Sequence, residues 1–306
     1  LIDGLPDLPT TVVGSYPAAP AGAALLRYCR EGVDPYAESL EQAVEAQLSA
    51  GIHLVSDGQT RNDMVRLFAT RLSGIRMRSR PVIMGEIAFK SPITVNDQRM
   101  ARRAIGGRAM LKGIITGPFT LARSCADEHY GSEERAAMAF AEALNCEAKA
   151  LSAEVDLIQL DEPFFSVEMP EYAGSLVSAV LSGVDLPKAL HVCGDVGRIF
   201  ADLVELPVDV LDHEFAAHPD LLDMVADIDF CQKLGYGCVR SDVNAVESIA
   251  EISERIKKGV ESFGHRRLLL DPDCGLRHLS PEVAKAKLEN MVKARDLVME
   301  DEGRDH

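Results

Sequence analysis

"ALHVCGD", residues 189–195, is an apolar run that ends in a histidine, a cysteine, a glycine and an aspartate. A strand buried on both faces reads as such a run, because helices cover both sides of a parallel sheet. Seven other stretches have the same character: "TTVVGSY" (10–16), "IHLVSDG" (52–58), "KGIITGPF" (112–119), "DLIQLDEP" (156–163), "DVLDHEF" (209–215), "YGCVRSDV" (236–243) and "RLLLDPDCG" (267–275). Longer helical patterns lie between them. "SLEQAVEAQLSAG" ends on a glycine stop, and "SEERAAMAFAEALNCEAKALSAE" is rich in alanine and glutamate. "AVESIAEISERIKKGVESFG" spaces Ile249, Ile252, Ile256 and Val260 along one face. The last helix opens at Ser280-Pro281-Glu282, a cap followed by proline at the first helical position.

Eight strands alternating with helices predict an α/β fold, a (β/α)8 TIM barrel forming a single domain over residues 1–306. No glycine-rich dinucleotide fingerprint follows any strand, which argues against a doubly wound sheet. Residues 71–111, between the second and third strands, are expected to be an insert. Within it "RPVIMGEIAFKS" and "ITVND" resemble an extra hairpin near the barrel mouth.

The composition, 47% hydrophobic and 26% charged over 306 residues, is that of a soluble globular protein with a substantial core. A net charge of −16 argues against nucleic acid or an anionic membrane as the main partner. The seven cysteines are odd in number and irregular in spacing, which does not suit a disulfide framework. No signal-peptide pattern opens the chain, and no apolar run reaches the roughly 18 residues of a membrane span. Reduced thiols and a cytoplasmic location are the expectation.

Barrel enzymes place their chemistry at the C-terminal ends of the strands. Here those ends read "GSYP", "DGQT", "TGPFT", "LDEP", "HVCGD", "HEF", "SDVN" and "DPDCG". Turn formation accounts for the Gly, Pro, Asp and Ser but not for the His, Glu and Cys. His191 and Cys193, two apart in an extended strand, share a face. Alone, such a pair in a buried strand is more often core packing than a metal site. Glu214 ends the sixth strand and Cys274 follows the eighth, so two thiolates, an imidazole and a carboxylate can converge at the rim. Sulfur donors favour zinc over magnesium or calcium. His213 should face away from Glu214 and is a supporting candidate, whereas Asp212 and His218 read as turn or surface residues. Asp161 and Glu162 offer negative charge to a substrate ammonium, or else form a solvated turn or a buried structural pair.

"GSYP", "RNDMV", "TGPFT", "QLDEP", "HVC", the glutamate of "DHEF" and "PDCGL" follow one another in this chain. That ordered set resembles the C-terminal catalytic barrel of the cobalamin-independent methionine synthase family, from about residue 10 to the final helix. The resemblance implies a cytoplasmic, zinc-dependent methyltransferase that methylates the thiol of homocysteine to give methionine. It makes His191, Cys193, Glu214 and Cys274 the zinc ligands, and Ser15 and Asp161 the residues holding the amino-acid end of homocysteine. A thiol is a good nucleophile only as thiolate, and zinc stabilises that form.

Three departures bear on the substrates. Gln59 is the nearest counterpart of a glutamate that contacts the substrate amine in the family, and a neutral amide cannot neutralise an ammonium. Asp242 keeps the donor-side aspartate, but Asn244 stands where the family has a histidine linked to proton delivery to the folate. Asparagine cannot serve as that acid. The family's tryptophan platform for the pterin is also absent, since the chain has no tryptophan. The sequence in this respect resembles the short archaeal core methionine synthases. That implies methylcobalamin or a methyl-corrinoid protein as donor rather than methyltetrahydrofolate. Alternatives are a zinc enzyme methylating another thiol, such as coenzyme M, and a non-enzymatic protein with a closed structural zinc site. A metal-dependent hydrolase is disfavoured, because "VVGSYP" lacks the His-x-His such barrels often carry on the first strand.

Overall fold

A computed structural model describes residues 4–302. Its strands are β1 (Leu54–Val55), β2 (Ile75–Met77), β3 (Pro81–Ile83), β4 (Met110–Thr116), β5 (Ala126–Asp127), β6 (Leu157–Asp161), β7 (Lys188–His191), β8 (Val210–His213), β9 (Lys233–Val239) and β10 (Leu268–Pro272). Seven of them form one sheet in the order β1-β4-β6-β7-β8-β9-β10, with every pair parallel. The segment expected as the first strand, residues 10–16, contributes only two bridges: Thr10 to Leu270 of β10 and Thr11 to Leu54 of β1. Those two bridges join the sheet's edges and close the TIM barrel. Beyond Thr11 this segment's carbonyls turn to other partners: Val13 accepts from the Gln159 amide, Gly14 from the Ser56 hydroxyl and Ser15 from the Leu276 N–H. No ladder can continue there.

The expected helices form at Ala37–Ala50, Glu133–Leu151, Ile249–Phe263 and Pro281–Glu302. Ser248 and Glu251 make a reciprocal capping box that fixes the start of the third. Within residues 71–111, β2 and β3 form an antiparallel hairpin, and β5 adds to β3. "ITVND" is not an arm of that hairpin; it leads into the helix Val95–Ile105. The buried carboxylate of Glu147 decides this by accepting the N–H groups of Ile93 and Thr94, each at 2.7 Å, and the Thr94 hydroxyl at 2.9 Å.

The core has two parts. The larger lies between the sheet and its helices, and the smaller fills the lower barrel with Leu54, Leu157, Ala189, Val210 and Leu269. Branched apolar residues usually continue upward through such a barrel. Here the next layer is polar: Lys112, Gln159, Asp212 and Asp271, all buried, with about 10 Å³ of space among them. Gly235 on β9 is required by this layer, because a Cβ there would lie 2.6 Å from that of Asp212.

Candidate active site

At the C-terminal end of the barrel, β7 delivers His191 and, just past its end, Cys193; Cys274 follows β10. His191 Nε2 lies 3.0 Å from Cys193 Sγ, and the two sulfurs are 3.1 Å apart. Among the described residues these three are the group able to hold a metal ion, one donor atom of each lying within 4.8 Å of the others. Two thiols and an imidazole are a zinc-type donor set. The Cys193–Cys274 hydrogen bond holds Cys274 well below the ordinary thiol range and pushes Cys193 well above it. With one donor atom of each within reach of a single ion, the residues present fit it.

Asp212 stands behind this group. Its carboxylate is 3.2 Å from His191 Nδ1, in an ionic contact whose angle falls short of a regular hydrogen bond. Burial alone would lower the His191 pKa, yet the charges of Cys193 and Asp212 hold it well above the usual imidazole range. Metal-ligating histidines commonly turn their second nitrogen to a carboxylate in this way. The expectation for Asp212 as a turn or surface residue is therefore corrected: it is 2% exposed and points into the barrel. His213, expected as the supporting group, faces the outer layer, where its Nδ1 meets the Val192 carbonyl at 3.2 Å and its ring packs edge-on to Phe200. Burial pushes His213 down to about 4, so it is neutral.

Glu214 lies beside the three-residue group. Burial and the charge of Cys274 raise its pKa against the opposing pull of the Gly194 N–H, and His218 Nε2 is 3.6 Å from its carboxylate. Asp273 ties the Glu214 loop to the Cys274 strand end by accepting the Ala216 N–H at 2.9 Å, and its burial pushes it up to about 8.

Ser15 touches the same rim. Leu276 N–H donates to its carbonyl at 2.8 Å, and a Cβ on Gly275 would sit 2.2 Å from its hydroxyl, so a larger residue after Cys274 would turn the Ser15 side chain. Asp161 of β6 pairs in register with His191 of β7. It is 6% exposed, accepts the Gln159 amide at 2.7 Å, and is pushed up to about 7 by burial. Glu162 has a different job from the one considered for it. Its carboxylate accepts the N–H groups of Phe119 and Thr120, both at 2.9 Å, and the Thr120 hydroxyl at 2.6 Å, capping the helix Pro118–Ser124. Gln59 adopts a positive φ of 45° and leaves its buried amide nitrogen without a partner, while Arg277 holds its carbonyl.

The donor-side residues are not drawn in. Asp242 and Asn244 are exposed, and Asp242 pairs with Arg240 at 2.9 Å. Lys112, Gln159 and Asp273 were not singled out from sequence. A lysine opening the apolar stretch 112–119 was the available signal for the first.

The fold and this site define a TIM barrel that gathers thiols and an imidazole at its mouth beside carboxylates and a hydroxyl. Residues 8–296 match the family model described as the catalytic domain of cobalamin-independent synthase, and the chain belongs to that family. The methionine synthase of Methanocaldococcus jannaschii is 36% identical over 94% of this chain and 99% of its own length. That of Methanothermobacter thermautotrophicus is 38% identical over 93% and 98%. Among solved structures, a B12-independent methionine synthase from Shewanella sp. W3-18-1 in complex with selenomethionine is similar at a TM-score of 0.83. It is 25% identical over 97% of this chain and 99% of that one. A methyltransferase from Methanosarcina mazei shares the fold at a TM-score of 0.70 and 19% identity, over 96% and 94%. The protein is a methyltransferase of the methionine synthase type.

Proposed function

We propose that the chain acts as one catalytic barrel, with residues 71–111 as an insert, and transfers a methyl group to the sulfur of homocysteine to give methionine. His191, Cys193 and Cys274 would hold a zinc ion, with Glu214 as the fourth ligand from its place beside them. When bound, zinc stabilises the acceptor's sulfur as thiolate near neutral pH. Asp212 orients the His191 ring. Asp161 receives the substrate ammonium, and Ser15 and Gln59 offer a hydroxyl and an amide to the carboxylate. The observation that carries this reading is the placement of Asp161 and Ser15 on the rim that bears the two thiols and the imidazole. Selenomethionine in the Shewanella relative supports a methionine-like product.

The donor in this reading is methylcobalamin or a methyl-corrinoid protein. Methyl transfer to sulfur forms an S–C bond from the thiolate's electron pair and breaks the donor's bond to the methyl. A tetrahydrofolate leaving group needs a proton at its nitrogen, and Asn244 cannot supply one. Reduced cobalt leaves with the bond's electron pair and needs no proton. One observation favours a second acceptor: the unpartnered Gln59 amide would also suit the sulfonate of coenzyme M. Asp161 weighs against it, since that thiol has no ammonium.

An assay crossing methylcobalamin and methyltetrahydrofolate with homocysteine and coenzyme M tests the proposal. Methionine should form from methylcobalamin and homocysteine. Fast turnover with methyltetrahydrofolate and none with methylcobalamin would overturn the donor assignment.

A further inference from the structure

Lys112 is 2% exposed and sits inside the barrel one layer below the mouth, among Gln159, Asp212 and Asp271. Burying a lysine costs several kcal/mol unless neighbours compensate, so a merely space-filling residue would be apolar. Beside the charges of Asp212, Asp271 and Asp161, it makes a specific hydrogen bond: Nζ donates to Gln159 Oε1 at 2.6 Å. The lysine nitrogen donates through its N–H, so the Gln159 carbonyl faces Lys112 and its NH2 faces the other way. That NH2 donates to Asp161 Oδ1 at 2.7 Å and to the Val13 carbonyl at 2.9 Å. Gln159 and Asp161 lie two apart on β6 and share the inward face. Asp161 is thereby engaged at one oxygen, which leaves its other oxygen to receive a donor from the mouth. Val13 lies two residues before Ser15, so the same amide also fixes the segment carrying the hydroxyl.

We propose that Lys112 is a positioning residue for amino-acid recognition: through the Gln159 amide it sets the orientation of Asp161 and so selects acceptor thiols that carry an ammonium. The inference rests on the assignment of Asp161 to the substrate amine made above. Among the described residues Lys112 makes no hydrogen bond or ion pair with His191, Cys193, Glu214 or Cys274. Without Lys112, Gln159 Oε1 is left buried with no donor, and the amide that holds Asp161 Oδ1 and the Val13 carbonyl loses its anchor on the far side.

The test measures binding by calorimetry on the zinc-loaded protein, with homocysteine and with 4-mercaptobutanoate, its analogue without the amino group. Lys112→Met should weaken homocysteine about tenfold, the equivalent of one hydrogen bond to a charged group. Binding of 4-mercaptobutanoate and zinc content should change by less than about twofold. Gln159→Met cuts the same link with Lys112 in place, should show the same selective loss, and decides the question if Lys112→Met does not fold. Equal weakening of both thiols would mean a general collapse of the site and would overturn the proposal. So would retention of the wild-type preference in both variants, which leaves the substrate assignment intact. A wild-type protein that binds the two thiols equally would instead remove the assignment of Asp161, and this inference with it.

Discussion

The rim beyond β7 and β10 and the rim beyond β9 are built in opposite ways. On the first, His191, Cys193 and Cys274 are gathered with their donor atoms within 4.8 Å, backed by buried Asp212 and stitched together by Asp273. On the second, Asp242 and Asn244 face solvent, and the strongest contact is an exposed Arg240–Asp242 pair. The second loop is itself well anchored, because Glu247 beneath it accepts the Arg240 N–H and pairs with buried Lys287 at 2.6 Å. Its openness is therefore a property of the surface it presents. In the proposed function the acceptor would be prepared inside the barrel, and the firm, open edge beyond β9 would suit a methyl donor brought from outside.

Substitutions on the two rims should differ most in metal content. Cys274→Ala removes a ligand outright, and zinc affinity measured against a chromophoric chelator should fall by roughly a thousandfold. Asp242→Ala, which breaks an exposed pair worth about 0–1 kcal/mol, should leave zinc affinity within about twofold. Comparable losses from both would erase the contrast.

Asp212→Asn sharpens the comparison. It keeps the shape behind His191 but removes the charge, and outer partners of metal ligands are worth about 10- to 100-fold in affinity. The same chelator titration should place this variant between the other two.

A smaller effect concerns Asp161, pushed up to about 7 by burial. Below that pH the carboxyl is protonated in the empty site and cannot pair with an ammonium; above it the carboxylate can. The preference for homocysteine over 4-mercaptobutanoate should therefore rise with pH through about 7, by at most about tenfold per unit, and level off above. Asp161→Asn should flatten that dependence. Taking the ratio of two thiols cancels the titration of sulfur and metal ligands that both share.

Strand placement was legible because each strand is a nearly continuous apolar run, and seven of the eight expected stretches form the sheet. The stretch 10–16 looked no different, but its carbonyls are claimed by Gln159, Ser56 and Leu276, partners distant in sequence. The gathering of His191, Cys193 and Cys274 followed from strand ends meeting on one rim. Asp212 was missed although the rule that finds it is simple: two residues before Glu214 in a strand means the same face. The same alternation separates Asp161, facing inward with Gln159, from Glu162, facing outward to its helix. Lys112 was harder to read, since the meaning of a lysine inside a barrel depends on which strands surround it, and that is a product of closure.

In the proposed function the acceptor's sulfur would join a zinc ion that His191, Cys193 and Cys274 would hold. Zinc-edge X-ray absorption of the loaded protein, with and without homocysteine, tests it most directly. Two sulfur neighbours are expected in the free protein and three once homocysteine is added. An unchanged sulfur count at saturating homocysteine would contradict it.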